Sequence, residues 1–290
     1  MAFLKKYFKQ IVLVVLLLAV LLFGHAVYRE TPNNALIVAF LNIGQGDSAY
    51  VESPTHRKIL IDGGPNASVL SEIGKLMPWY DHNIDALVIS NSDVDHFGGF
   101  IDLIKRYHVG LVVESGAVGG APSYKTLEEL IAQKKITRVL ASRGDSLDIG
   151  GGVHLDFLFP DRDPSKMKTN DASFIAQLVY ASTTVMFTGD APNATEEYVL
   201  SLASSDKTGA SSLKSDILKA GHHGSRTSAS ESFVSAVAPK YGIISAGLDN
   251  SYGHPHQETL DLFDKLKIQT LITFKLGTII FKSDGMIWWR

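Results

Sequence analysis

The sequence predicts a mixed α/β (α+β) domain behind one N-terminal hydrophobic segment, and three observations point there. Apolar runs of strand length recur along the chain, separated by segments with helical spacing. Polar words rich in Asp, His and Gly follow directly after those runs. A hydrophobic content of 45% with 25 glycines fits a folded body and not a disordered one.

MAFLKKYFKQ opens the chain with Lys5, Lys6 and Lys9, and Ile11 to Gly24 then carries no charge. Extended to Tyr28 the run rises about 27 Å as a helix, enough to cross a bilayer core. Residues 1–30 therefore read as a membrane anchor or a signal peptide, with Gly24-His25-Ala26 as a small-x-small cleavage site. Lysines ahead of the run place the tail in the cytoplasm and the body outside. The expectation is a single-pass cell-membrane protein whose catalytic domain is extracytoplasmic, or a secreted one if the segment is cleaved.

After the turn-prone Thr31-Pro32-Asn33-Asn34, residues 31–290 read as one domain; neither a repeat nor a Pro-rich linker divides them. Strands are expected at 36–42 and 48–52, around a tight GQGD, and at 57–64. Then come a helix at 67–77, a strand at 84–90, a helix at 97–107, a strand at 109–115, a helix at 124–134 and a strand at 136–141. Strands at 154–160, 173–180 and 183–189 precede a helix at 192–200 and a loose polar stretch at 201–215. DILKAG and YGIISAG are strands followed by helices at 230–237 and 257–267, and strands near 270–282 and 286–289 close the chain.

Composition narrows the chemistry. The 27 Lys and Arg against 30 Asp and Glu leave a net charge of −3, which argues against a broad basic surface for nucleic acid. There is no cysteine, so disulfides, thiolate metal sites and cysteine nucleophiles are excluded.

ILIDGG sets Asp62 at a strand end beside two glycines. SNSDVDHFGG (90–99) offers Asn91, Asp93, Asp95 and His96, a mixture of oxygen donors and imidazole that suits Zn, Mn or Fe. Read alone, the word suits an acidic cap of the following helix equally well. Two distant words change the balance. VMFTGDA brings Asp190 and ILKAGHHGSRTS brings His222 and His223, each directly after an apolar strand, while YGHPH adds His254 and His256. A metal held by Asp95, His96, Asp190 and one of the two adjacent histidines would lower the pKa of a water, with Asp190 bridging to a second ion. Asp95 and Asp190 thereby become catalytic, together with His254 as proton donor or substrate-orienting group. Ser225, Arg226 and Thr227 are candidate phosphate contacts.

The words LNIGQGDSAYVE, ILIDGG, SNSDVDHFGG, MFTGD, LKAGHHGSRTS, YGHPH and TFKLGTIIFKSDG together resemble the metallo-β-lactamase superfamily, in the branch formed by the extracellular domain of ComEC-type DNA-uptake proteins. The resemblance spans about residues 36 to 285. It implies a four-layer αββα sandwich with a metal centre at the sheet edges. On the matching positions Asp95 and His96 are ligands of one metal, Asp190 is the bridge, one of His222 and His223 is a further ligand, and Asp62 is a buried support. Asn170 or Asp171, in KTNDASF, falls where relatives place another ligand. Asp93 follows the branch, but Asn91 stands where the first histidine of the motif is usual. An amide oxygen is a weaker donor than imidazole, so the implied cofactor is Zn2+ or Mn2+, one ion tight and a second weaker.

The resemblance also implies the activity: a metal-dependent phosphodiesterase or nuclease, with a phosphodiester such as single-stranded DNA as substrate. The chain is expected to stand alone behind its hydrophobic segment, touching the cytoplasmic membrane through that segment, with a separate DNA-uptake channel protein as a candidate partner. The rival expectations are a hydrolase of phosphocholine or other small esters in the envelope, and a binding domain catalytically weakened at Asn91.

Overall fold

The structure is a computed structural model that describes residues 2–30, 35–205 and 213–290. The expected turn at 31–34 and positions 206–212 of the polar stretch lie outside the described residues.

Strands apolar on both faces need cover on both faces, and two layers of sheet with helices outside provide it. The first sheet contains β1 (Leu36–Phe40), β2 (Ala49–Glu52), β3 (Lys58–Ile61), β4 (Asn83–Ile89), β5 (His108–Glu114), β6 (Thr137–Leu140), β14 (Ile279–Ser283) and β15 (Trp288–Trp289). Its order is β15-β14-β1-β2-β3-β4-β5-β6. The second contains β7 (Ser146–Gly150), β8 (Val153–Phe159), β9 (Ile175–Tyr180), β10 (Thr183–Phe187), β11 (Ile217–Lys219), β12 (Tyr241–Ile244) and β13 (Gln269–Ile272), in the order β13-β12-β11-β10-β9-β8-β7.

Val38, Phe40, Val51, Val88, Leu155, Phe157, Phe187 and Ile243 meet between the sheets. The alternate residues face outward. On the first sheet Leu41, Tyr50, Leu60 and Leu87 pack under α2 (Ser68–Ile73), α3 (Val94–Arg106) and α4 (Pro122–Lys134) through Val69, Phe97, Phe100 and Leu127. On the second, Met186, Leu218 and Ile244 pack under α5 (Asn193–Ser205), α6 (Glu231–Val237) and α7 (Gln257–Lys265) through Val199, Phe233 and Phe263. Each fully buried side chain of this size contributes about 1.5–3 kcal/mol. The result is the four-layer αββα sandwich expected from the sequence. Ahead of it α1 (Ala2–Glu30) is one helix, whose stretch Lys6–Gly24 has a mean hydropathy of 2.4 and is long and apolar enough to cross a membrane.

Three elements differ from the sequence expectation. β7 is an additional edge strand, unforeseen because SLDIG carries little apolar signal; it pairs with β8 through an irregular register. The closing strand near 270–282 is two strands in different sheets, separated by the short helix α8 (Thr273–Leu276). α3 begins three residues earlier than expected, at Val94, so Asp95 and His96 sit on its first turn.

β3, β4 and β5 run parallel and end together, as do β10, β11 and β12. The loops that follow them therefore share one edge of the sandwich. There α3 lies hard against the loop after β3: a Cβ on Gly99 would fall 2.1 Å from the Gly63 carbonyl oxygen, and one on Gly98 would fall 2.3 Å from that of Pro65. The two glycines after His96 are thus demanded by packing. Gly99→Ala should cost about 1–3 kcal/mol or more, since backbone and not a flexible side chain must move, and urea unfolding reads it directly.

Candidate metal centre

Asp62 leaves β3 in a left-handed conformation (φ 62°) and is buried. Its Oδ1 accepts the Ser90 backbone N–H at 2.7 Å and its Oδ2 the Ser90 hydroxyl at 2.6 Å. The same Oδ2 lies 2.9 Å from His96 Nδ1. A carboxylate can only accept, so that nitrogen carries the proton and the lone pair of Nε2 faces the cleft. Burial raises the Asp62 pKa, partly offset by His96.

His223 is held in the same way. Its Nδ1 lies 3.1 Å from both Asp47 Oδ1 and the Ser245 carbonyl, so Nδ1 donates and Nε2 points into the cleft. Burial works against the charge on Asp47, yet Lys219 and His223 hold its pKa below the usual range. The Lys219 ammonium donates to Asp47 Oδ2. His222 and His223 both adopt left-handed backbones, with φ of 48° and 56°. Such conformations cost on the order of 1–3 kcal/mol per residue away from glycine. Both rings come near Asp190, each Nε2 lying 3.7 Å from one of its carboxylate oxygens.

Asp95, His96, Asp190 and His223 each offer a ligand atom within 4.8 Å of the others. Asp190 Oδ1 is 3.2 Å from His96 Nε2 and 3.7 Å from His223 Nε2, while its Oδ2 is 3.7 Å from His222 Nε2. Asp95 Oδ2 is 3.1 Å from His223 Nε2. His96 Nε2 and Asp190 Oδ1 are buried and lie 3.2 Å apart, yet neither has a well-aligned hydrogen-bond partner. Buried orphan acceptors are costly. A divalent cation satisfies this donor set, carboxylate with imidazole, and matches Zn or Mn chemistry. A second group, Asp47 with Asp62 and His96, already has its cation in Lys219.

The cleft above is about 330 Å³ and is walled by Gln45, Asp93, Val94, Asp95, Asn170, Asp190, His222, His223, Tyr252 and His254. Neither Lys nor Arg is among them. Asp93 makes no side-chain cap to α3; it accepts the Thr169 hydroxyl at 2.9 Å. Asn91 is almost fully buried. Its amide donates to Asn170 Oδ1 at 2.8 Å and to Ser173 Oγ at 3.1 Å, and its oxygen accepts the Asp93 N–H at 2.8 Å. Asp171 is half-buried in the 3-10 turn Asn170–Ala172, outside the cleft wall.

His254 lines the cleft with its ring stacked by Tyr252 at 5.7 Å. Burial, and then the neighbouring His223, His222 and His256, lower its pKa to about 4. At neutral pH it is an uncharged hydrogen-bond group, which fits an orienting role better than an imidazolium donor. Ser225, Arg226 and Thr227, the expected phosphate contacts, are not among the residues that line the cleft. Ser225 is buried against Thr227 at 2.9 Å, Thr227 lies 3.4 Å from His222 Nδ1, and Arg226 faces Glu258 on the surface at 3.8 Å. Asp47 and Lys219 were not singled out by sequence reasoning. The signals were a carboxylate in the tight GQGD and a lone lysine in the apolar ILKAG.

The description "metallo-beta-lactamase superfamily" belongs to the family model that matches residues 41–247. The chain is 32% identical over 272 residues to ComE operon protein 3 of Bacillus subtilis, covering 86% of this chain and 33% of that protein. It is 30% identical over 264 residues to competence protein ComA of Neisseria gonorrhoeae, covering 90% of this chain and 34% of that one. It thus spans about a third of the length of these curated relatives. The metallo-beta-lactamase fold protein YhfI from Bacillus subtilis superposes with a TM-score of 0.57 at 12% identity, covering 86% of this chain and 100% of that one. That likeness concerns the fold.

Two predictions come from this geometry. His223 has its pKa pushed to about 9, because Asp190 and Asp47 outweigh the opposing effect of burial. A ligand nitrogen must shed that proton, and Asp190 and Asp62 raise the His96 pKa in the same way against burial, so metal binding below pH 9 should release protons and tighten as pH rises, by about tenfold per pH unit for each proton released. Titration calorimetry in buffers of different ionisation enthalpy reads the release, and a pH-independent Kd would count against His223 as ligand. Asn91→Ala, by contrast, should leave the tight ion in place while lowering stability by about 1–3 kcal/mol, the cost of unmade buried hydrogen bonds. Metal analysis and thermal unfolding of the same sample separate the two effects.

Proposed function

The chain belongs to the metallo-beta-lactamase superfamily, and from that premise we propose that it is an exported, metal-dependent phosphodiesterase or nuclease acting on DNA. The observation that carries this is the cleft wall: carboxylates and imidazoles with no Lys or Arg. An anionic ester meets repulsion there until cations are bound. The match to competence protein ComA, together with the resemblance of the motifs to DNA-uptake proteins, supports DNA as the ester and uptake across the envelope as the setting.

Asp95, His96, Asp190 and His223 would hold the tight ion. Asp190 Oδ2 and His222, with Asp93 and Asn170 beyond them, frame the second, weaker position. A bound divalent ion supplies Lewis acidity and lowers the pKa of water. His254 donates a hydrogen bond to the substrate from the one N–H of its neutral ring, and its low pKa keeps a second proton off the ring at neutral pH. The helix Lys6–Gly24 anchors the body to the membrane, with the lysine-bearing tail in the cytoplasm.

One observation favours a second reading. Tyr252, 65% exposed, and Asp93 both line the cleft. An aromatic face with a carboxylate suits a quaternary ammonium head, hence a phosphocholine ester.

The test is cleavage of single-stranded DNA, bis(p-nitrophenyl) phosphate and p-nitrophenylphosphorylcholine by the full chain with Mn2+ or Zn2+, beside Asp190→Ala. Cleavage of DNA and the diester is expected. The variant should lose both its bound metal and, by at least about 100-fold, its activity. Turnover of the phosphocholine ester alone would transfer the assignment to the second reading. Metal binding without any cleavage would make the domain a binding module.

A further inference from the structure

An anionic ester entering the cleft finds no Lys or Arg on its wall, and few hydrogen-bond donors of any kind. The side chains that can donate are the imidazoles of His222, His223 and His254, the Tyr252 hydroxyl, and the amides of Gln45 and Asn170. His223 belongs to the proposed tight ion position, and His222 and Asn170 to the weaker one. Gln45 serves neither.

The fold fixes Gln45 from two sides. It lies in the GQGD turn between β1 and β2. The Asp47 backbone N–H donates to the Asp95 carbonyl at 3.1 Å, and a Cβ on Gly46 would collide with that same carbonyl oxygen. The GQGD turn is therefore pressed against the start of α3, beside Asp95. On the other side, Gln45 Oε1 accepts the Gly247 backbone N–H at 3.1 Å. Gly247 lies just beyond Ser245, whose carbonyl fastens His223. A backbone N–H can only donate, so the atom it meets is the amide oxygen, and Nε2 occupies the other branch of the planar group. Among the described residues that nitrogen has no protein acceptor, and it is open to solvent instead of buried.

We propose that Gln45 is a substrate-binding residue, whose Nε2 donates to a non-bridging oxygen of the phosphodiester on the Asp95 and His223 side of the cleft. The inference rests on the phosphodiesterase reading and assigns that site a donor for its substrate. Non-bridging oxygens only accept, and an oxygen that no ion holds needs an N–H or O–H. A lysine would answer that need, but it would repel the cations that the carboxylates collect. A neutral amide donates without that repulsion. The bond to Gly247 orders the amide before substrate arrives, so little side-chain freedom is lost on binding.

Two substitutions separate this role from a structural one. Gln45→Glu keeps an oxygen for the Gly247 N–H but replaces the donor with an acceptor. Gln45→Met is similar in length and uncharged, and has neither group. With Mn2+ and bis(p-nitrophenyl) phosphate, both should raise KM by about tenfold to a hundredfold, the worth of a hydrogen bond to a charged group, while kcat changes by roughly threefold at most. Metal content should match the wild type in both, and the thermal midpoint should match it in Gln45→Glu. Wild-type KM in both variants would overturn the proposal. A raised KM in Gln45→Glu alone would reduce the effect to charge, and in Gln45→Met alone to the lost Gly247 bond; either result overturns it too. A wild type that binds metal yet cleaves neither the diester nor DNA would end the phosphodiesterase reading on its own. Calorimetric titration of inorganic phosphate into the Mn2+-loaded proteins then decides Gln45: weaker binding in both variants upholds the donor, and unchanged binding removes it.

Discussion

The crowding of carboxylates and imidazoles at the strand ends governs much of the molecule. Asp95, His96, Asp190 and His223 hold ligand atoms within 4.8 Å, and all but Asp95 are buried. Two unit charges at such a distance interact by about 4 kcal/mol at an effective dielectric near 20. Such a cluster persists only if each group is fastened from behind. Asp62 fastens the His96 ring, Asp47 and the Ser245 carbonyl fasten His223, and glycines at 98 and 99 let α3 approach closely enough to bring Asp95 into place.

The fastening layer poses its own charge problem. Asp47 and Asp62 are buried carboxylates within 4.8 Å of each other around His96. Lys219, buried at the end of the short strand β11, donates to Asp47 and so neutralises this layer from the second sheet. A buried pair adds little net stability of its own, but loss of either partner would strand a charge in the core. The lower layer is thus balanced by the chain itself, whereas the upper layer is left for a cation from solution.

Much of this was legible in the sequence, for identifiable reasons. Strongly apolar strands such as ALVI (86–89) and VMF (185–187) carry their own signal, and chemistry-bearing words directly after them fall at one sheet edge once the strands run parallel. Less was legible where a residue serves its neighbours. Asp47 sits in GQGD, which reads as a turn, and only the fold brings it to His223 across the sheets. His222 and His223 could not be separated because adjacent residues differ only in backbone angles. With both left-handed, His223 turns into the core and His222 outward. Ser225 to Thr227 looked like a phosphate loop because hydroxyls and a guanidinium follow the histidines, yet the chain turns them onto each other and onto the surface.

Asn91 is the residue where local pattern and tertiary role diverge most. Read as a donor to metal, its amide is a poor replacement for imidazole. In the fold it is a cross-link: both amide hydrogens reach the 170–173 segment leading into β9, while its oxygen holds the Asp93 N–H. A neutral imidazole has a single N–H and cannot make both of those donations while also facing an ion. The amide therefore joins the loop after β4 to the second sheet without help from a cation. Thr169 adds a parallel link to Asp93. One wall of the cleft is built by hydrogen bonds that persist whether or not metal is bound, and the other by acceptors that need it. The proposed tighter ion position lies on the side where the acceptors have nothing else to satisfy them.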